Sequence, residues 1–287
     1  MLCTLAFATS IPLQLCVAQN APSTPQPGPG LVGDTNHCRP IASGDPRKEP
    51  LVDVCEFAVN FLRRLPDFVC DQTTTTEGRM TTTVVKEKVQ FVGGHETYSD
   101  VTINGQPEPP NEYNSYVTLG ARKIISAGEL GSDLVDLFAP PIAADFQFRN
   151  NEKLGRSQAS VFSFHLPAEK NTFWMLRDSR GVSVHPEYQG EISIDRTSGR
   201  VLRLSLRPMH LPDNFGFENA EITVDYQEVP ITDAGTFLLP SKSEMKACVR
   251  YAELRYPVCT KSNLLFHDCH KFAAKSRILT DTPVSPP

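Results

Sequence analysis

The residues from Tyr188 to Pro208 read YQGEISIDRTSGRVLRLSLRP, and their polarity alternates with a period of two. Ile192 and Ile194 alternate with Glu191, Ser193 and Asp195. Beyond a turn-rich break, Leu202, Leu204 and Leu206 alternate with Arg203, Ser205 and Arg207. Such alternation on both sides of a break predicts a half-buried β-hairpin. A three-residue loop, Thr197-Ser198-Gly199, with Gly199 left-handed, sets its register. Arg196 then faces Arg200, Ile194 faces Leu202 and Ile192 faces Leu204. All the apolar side chains land on one face, and a one-residue slip would send a whole strand's set to the other.

The same reading extends along the chain. Leu51, Val54, Cys55, Ala58, Val59 and Leu62 recur at helical spacing over Leu51–Leu65, with Arg63 and Arg64 near the C-terminus and Pro66 as the stop. From Phe68 to Pro107 the residues are strand formers, punctuated by Gly93-Gly94 and Asn104-Gly105 turns. A second short helix is predicted over Leu130–Phe138, closed by Pro140-Pro141. Strands then follow at Phe146–Arg149, Ala159–Leu166, Thr172–Arg177, Val182–His185, the hairpin, Ala220–Gln227, Thr236–Leu239, Lys242–Tyr251 and Leu264–Ile278, with a break at Asn150-Asn151. Nothing suggests βαβ crossovers. The predicted fold class is α+β: a large curled antiparallel β-sheet, an open half-barrel, with two or three helices packed on its concave face. It forms a single domain over residues 51–280.

Composition changes this picture mainly at the ends. The 287-residue chain carries a net charge of -5 with no basic run, so no nucleic-acid partner is expected. Residues 1–33 hold no charged side chain, and residues 1–18 read as a signal peptide, with a signal anchor as the rival. Residues 19–50, rich in Pro, Ser and Gly, read as a disordered linker, and 281–287 as a disordered tail. The chain is expected to be an extracytoplasmic monomer, periplasmic or secreted.

Outside the signal stand six cysteines: Cys38, Cys55, Cys70, Cys248, Cys259 and Cys269. An even set in an exported chain predicts disulfides, with 15 pairings open. Strands joined through Arg255-Tyr256-Pro257 would place Cys248 across from Cys269, and Cys38 is placed to tether the far end of the linker.

Motifs for chemistry are sparse. His267-Asp268-Cys269-His270 is a dense group of metal-type ligands, yet histidines three apart on a strand point to opposite faces. His95-Glu96 begins like a zincin, but Ser99 stands where the second histidine belongs. Asp133 and Asp136 read as exposed acids on an amphipathic helix. No cofactor, metal or catalytic residue is expected.

More telling are the strand aromatics and aliphatics. Trp174, Phe164, Phe162, Phe148, Ile192, Ile194, Leu202 and Leu204 belong to a face that helices cover in part. Where the sheet is wider than its helices, the remaining concavity would hold a hydrophobic ligand. Trp174 and Phe164 are the first candidates, since large rings line such pockets.

The run GEISID-RTSG-RVLRLSL, with an acidic residue before a turn whose glycine precedes VLRL, resembles the corresponding hairpin of the periplasmic LolA-like outer-membrane lipoprotein carrier and sorting proteins. The preceding helix with its Thr-rich strands and the closing FHDCHKFAAKSRI strand are in keeping with it, over roughly Leu51 to Ile278. The resemblance implies an open, incomplete antiparallel barrel lidded by helices, whose apolar concave face receives acyl chains of lipoproteins. Related domains act as envelope-stress sensors. The cysteines, the Pro-rich leader and the Tyr251–Asn263 insertion depart from that pattern, and no latch residue of the carriers maps onto this chain. Three readings follow: a non-enzymatic binder of a lipid or lipidated protein, a module with a filled core that binds an envelope protein, and a hydrolase built around His95 or His267.

Overall fold

The computed structural model describes residues 34–272, apart from 79–80, 94, 108–114, 120–121, 127–131, 141, 143, 172–173, 178–181, 214 and 250–255. In chain order the elements are α1 (Glu49–Arg64), β1 (Phe68–Glu77), β2 (Thr82–Val92), β3 (His95–Ile103), β4 (Gln106–Pro107), β5 (Ser115–Leu119), β6 (Arg122–Ser126) and α2 (Ser132–Leu137). There follow β7 (Asp145–Leu154), β8 (Ser157–Leu166), β9 (Leu176–Arg177), β10 (Ser183–Val184), β11 (Glu187–Asp195), β12 (Val201–Met209), β13 (Asn219–Ile231), β14 (Gly235–Val249) and β15 (Val258–Lys271).

Eleven strands make one open sheet in the order β4-β3-β2-β1-β15-β14-β13-β12-β11-β8-β7. Ribbons β5–β6 and β9–β10 stand apart from it. The ladders are antiparallel, and bulges interrupt β1–β15, β2–β3, β7–β8, β11–β12 and β13–β14. Bulges bend a strand and increase its twist, which is how a wide sheet curls without closing. This is the architecture that the LolA-like resemblance implies.

The helix α1 forms where the periodicity places it, with Pro50 in its first turn. Its Leu51, Val54, Cys55 and Ala58 pack into a cluster with α2 and the inner faces of β8, β11, β12 and β13. Phe61 and Leu65 pack into a second cluster with Phe68, Cys70, Val89 and Phe91. One helix thus bridges both halves of the inner face. The turns at Gly93 and at Asn104-Gly105 are left-handed, as expected of tight hairpins.

Several expectations change. Asn150-Asn151 lies inside β7 next to a bulge, and the turn falls at Gly155. The two segments expected at Thr236–Leu239 and Lys242–Tyr251 are one strand, β14. Within the expected linker, the described part begins at residue 34 and includes 3-10 turns at Arg39–Ala42 and Pro46–Lys48. Cys38, fully buried, binds Cys55 of α1 and so draws this segment onto the domain.

The predicted Cys248–Cys269 bridge is overturned. β15 starts at Val258, earlier than expected, so Cys248 sits directly opposite Cys259 and bonds to it. Cys269 instead reaches Cys70 of β1 through the bulge at left-handed Asp268. The three disulfides point to an oxidising, extracytoplasmic compartment. Among the described residues, no helix is long and apolar enough to cross a membrane.

Candidate functional site

One transverse row of side chains crosses the inner face of the sheet. Cross-strand pairs link Phe148 to Phe162, Phe162 to Ile192, Ile192 to Leu204 and Leu204 to Val224. The row continues from Val224 to Ser243, Leu264, Thr74 and Val85. Side chains on neighbouring strands at one level touch, so the row is a continuous strip that runs from an apolar half to a polar half.

The apolar half gathers six of the eight sequence candidates. Phe162, Phe164, Ile192, Ile194, Leu204 and Trp174 share one cluster, with exposures from 0% to 7%. Phe148 packs at its margin with the Arg47 guanidinium 5.2 Å from its ring centroid. Leu202 does not join. The bulge after Ser193 pairs Ile194 with Val201, and Leu202 is left half-buried outside the cluster. Within the cluster the rings run Phe138, Phe146, Phe164, Trp174, Tyr188, with centroid spacings of 5.3, 6.0, 6.4 and 5.3 Å. The expected open concavity is thus filled here by aromatic side chains, α1 and α2.

Asn171 positions the central ring and was missed in the sequence, where a lone asparagine reads as a loop residue. It is buried and donates from Nδ2 to the carbonyls of Trp174 and Pro186, both at 2.8 Å. Its Oδ1 accepts from the Trp174 amide at 2.9 Å. His37 Nε2 likewise donates to the Phe138 carbonyl at 3.1 Å, tying the segment before α1 to the end of α2.

Among the described residues, the buried Trp174 Nε1 and Tyr226 Oη of this half have no hydrogen-bond partner. Such a group costs about 1–3 kcal/mol when left unpaired. Burial, and then the charge of Asp133, raise the pKa of both Tyr188 and Tyr226. On the same helix, burial pushes Asp136 from 3.8 up to about 7. Asp136 is not the exposed acid expected of it.

That shift has a measurable sign. Below the ordinary carboxylate pKa, folded and unfolded chains are both protonated at Asp136 and the residue is neutral to stability. Between 3.8 and about 7 the unfolded chain ionises first, so stability falls as pH rises and is level above that window. The side chain keeps some solvent contact, so the full shift overstates the cost. Asp136→Asn is expected to raise stability by about 2 kcal/mol at pH 8 and by almost nothing at pH 4. Urea unfolding at the two pH values checks this, and an equal gain at both would refute it.

The polar half was not foreseen. On β1, buried Gln72, Thr74 and Thr76 alternate with the half-exposed Asp71, Thr73 and Thr75. Glu87, 4% exposed, faces Gln72, whose Nε2 donates to Glu87 Oε1 at 2.5 Å. Ser262 pairs with Thr76 through hydroxyls 2.8 Å apart, and Ser243 and Thr260 are buried on the same face. Among the described residues, Thr74 Oγ1 is buried without a partner. The run Asp71-Gln72-Thr73-Thr74-Thr75-Thr76 alternates like any strand, but with polar residues in both registers, so hydrophobic patterning could not mark its inner face. The backbone of β5 lies against β1, β2 and β15 over this region.

The histidine group faces elsewhere. The bulge at Asp268 leaves both His267 and His270 exposed, correcting the expectation of opposite faces. Asp71, His267 and Asp268 bring three metal-type ligand atoms within 4.8 Å of one another. Lys88 Nζ already occupies Asp71 at 3.1 Å, and His267 Nδ1 lies 2.8 Å from Asp268 Oδ2. The His95 side chain lies outside the described residues. Surface hollows occur away from the row: one of about 740 Å³ beside Glu77, Lys246, Tyr256 and Lys261, and one of about 280 Å³ beside Asp53, Asp195 and Ser198.

No protein-family model matches the sequence, and no curated protein matches it. Among solved structures the chain is similar to a candidate outer membrane lipoprotein-sorting protein domain from Vibrio parahaemolyticus, at 10% identity and a TM-score of 0.36. That match covers 75% of this chain and 90% of the other. It is also similar to a DUF1329 family protein from Desulfovibrio piger, at 8% identity and a TM-score of 0.38, covering 79% and 95%. A third similar structure is from the MucA/MucB complex of Pseudomonas aeruginosa, at 11% identity and a TM-score of 0.18, covering 77% and 100%. These are distant likenesses of fold, and no function follows from them.

Proposed function

We propose that this protein is an exported, non-enzymatic carrier that holds a lipid or lipidated protein on the inner face of its sheet, between β8–β13 and the helices. The observation that supports it most is the aromatic cluster under α2, where Trp174 Nε1 and Tyr226 Oη lie buried without partners among the described residues. A protein with a permanently sealed core would gain by replacing such groups with apolar ones of similar shape. A site that takes an amphiphile has a use for them, since they offer hydrogen bonds to a group that arrives with an apolar chain. In this reading the side chains of α2, a helix of only six residues, occupy the place that the ligand's chain takes. An N-terminal signal delivers the chain to the compartment where its disulfides form.

Native mass spectrometry and solvent extraction of the purified full chain test the proposal. A co-purifying lipid, released when Trp174→Ala is introduced, is the expected result. A second reading, a filled module that binds an envelope protein, is favoured by the 0% exposure of Phe162, Ile192 and Leu204. Absence of lipid, together with an envelope partner still held by Trp174→Ala, would replace the first reading by the second.

A further inference from the structure

We propose that the Cys248–Cys259 bond is a site of thiol–disulfide exchange, at which a small thiol from solvent attacks Cys259 and displaces Cys248. The inference does not depend on what the inner face holds.

Among the described residues, the three disulfides differ in access. Cys38, Cys55 and Cys70 are 0% exposed and Cys269 is 6% exposed, so a thiolate cannot reach those two bonds without opening the core. Cys248 and Cys259 face outward, since Ala247 and Val249 on either side of Cys248 are buried. Cys259 is exposed, Cys248 is half-buried, and both line the surface hollow of about 740 Å³.

The two sulfurs also differ in what lies behind them. Displacement at sulfur needs the attacking thiolate roughly in line with the S–S bond, which here joins directly opposite residues of β14 and β15. In-line attack on Cys248 comes over β13, where Asn219 is its direct cross-strand neighbour. In-line attack on Cys259 comes from the side of β1, whose described ladder with β15 ends at Glu77–Lys261. There Gly78 donates to the Thr81 carbonyl at 2.9 Å, turning the chain back toward β2, and Glu77 and Gly78 line the hollow.

The incoming thiolate bonds to Cys259 Sγ. The electron pair of the broken S–S bond leaves on Cys248 Sγ, which takes up a proton. A second thiolate attacking the sulfur of the first releases Cys259 as a thiol and leaves the two small thiols joined as a disulfide. Opening the bond leaves the surrounding sheet in place, because β14 keeps its ladder with β13 and β15 its ladder with β1.

The test adds 2-mercaptoethanol to the oxidised full-length protein, quenches samples in acid at early times and caps free thiols with a maleimide. Peptide mass spectrometry then locates each group. The Cys248–Cys259 bond is expected to open at least about ten-fold faster than the other two, because exchange follows access. In the first samples mercaptoethanol is expected on Cys259 and the maleimide on Cys248. Trp174, the single tryptophan of the chain, is expected to keep its emission throughout. Opening of Cys38–Cys55 or Cys70–Cys269 at the same rate would overturn the site, and mercaptoethanol found first on Cys248 would overturn the direction of attack. A shift of Trp174 emission as the bond opens would make it a structural bond and overturn the exchange.

Discussion

Replacing Cys70 and Cys269 together by alanine is expected to lower stability by about 5 kcal/mol, the largest effect of any change considered. The two residues are 199 apart in sequence, and their bond ties the first strand of the sheet to the last. A cross-link over so long a loop removes much of the unfolded chain's freedom, and the entropy grows with the logarithm of loop length. The Cys248–Cys259 bond spans only 11 residues within one hairpin, so its removal is expected to cost about 3 kcal/mol. Burial points the same way: Cys70 is fully buried among Phe68, Val89 and Phe91, whereas Cys259 is exposed. Urea unfolding of the two double variants under non-reducing conditions decides the matter. Equal losses would show that loop length does not govern what these two bonds contribute.

Gly190→Ala is expected to cost about 3 kcal/mol and to displace the Phe164 ring. Gly190 sits on β11 between Phe164 of β8 and Leu206 of β12. A Cβ there would fall inside the van der Waals radii of both the Ser205 carbonyl oxygen and the Phe164 ring. The ring covers the bare backbone, which is the usual reason for a glycine inside a strand. Because Phe164 also touches Trp174, the substitution should shift the tryptophan emission as well as the unfolding midpoint. A stable variant with unchanged emission would show that the aromatic cluster does not depend on this close approach.

Local structure was largely legible in the chain. The alternation about Ile192 and Leu204 marked an inward face, and Gly199 does take the left-handed turn position. The helix over Glu49–Arg64 followed from apolar spacing and from Pro66 beyond it. These signals are short-range: a strand's period of two and a helix's 3.6 are written within a dozen residues. The same signal failed where one residue was out of step. Leu202 matches the alternation on paper, but the bulge after Ser193 takes it off the inner row and puts Val201 there instead.

Read by itself, the chain determined that most of it is strand after a first helix, which faces of the opening hairpin are apolar, and that six cysteines would be oxidised. Only the tertiary structure decided that β1 lies beside β15, that β11 pairs with β8 across the β9–β10 ribbon, and therefore which cysteines bond. It also decided that Gln72, Thr74 and Glu87 would be buried together with Ser243 and Ser262, from strands some 190 residues apart. The reason is physical. Side-chain periodicity says which way a residue points, whereas its neighbours depend on how an entire sheet closes its ladder hydrogen bonds and buries its apolar area. That total has no local signature.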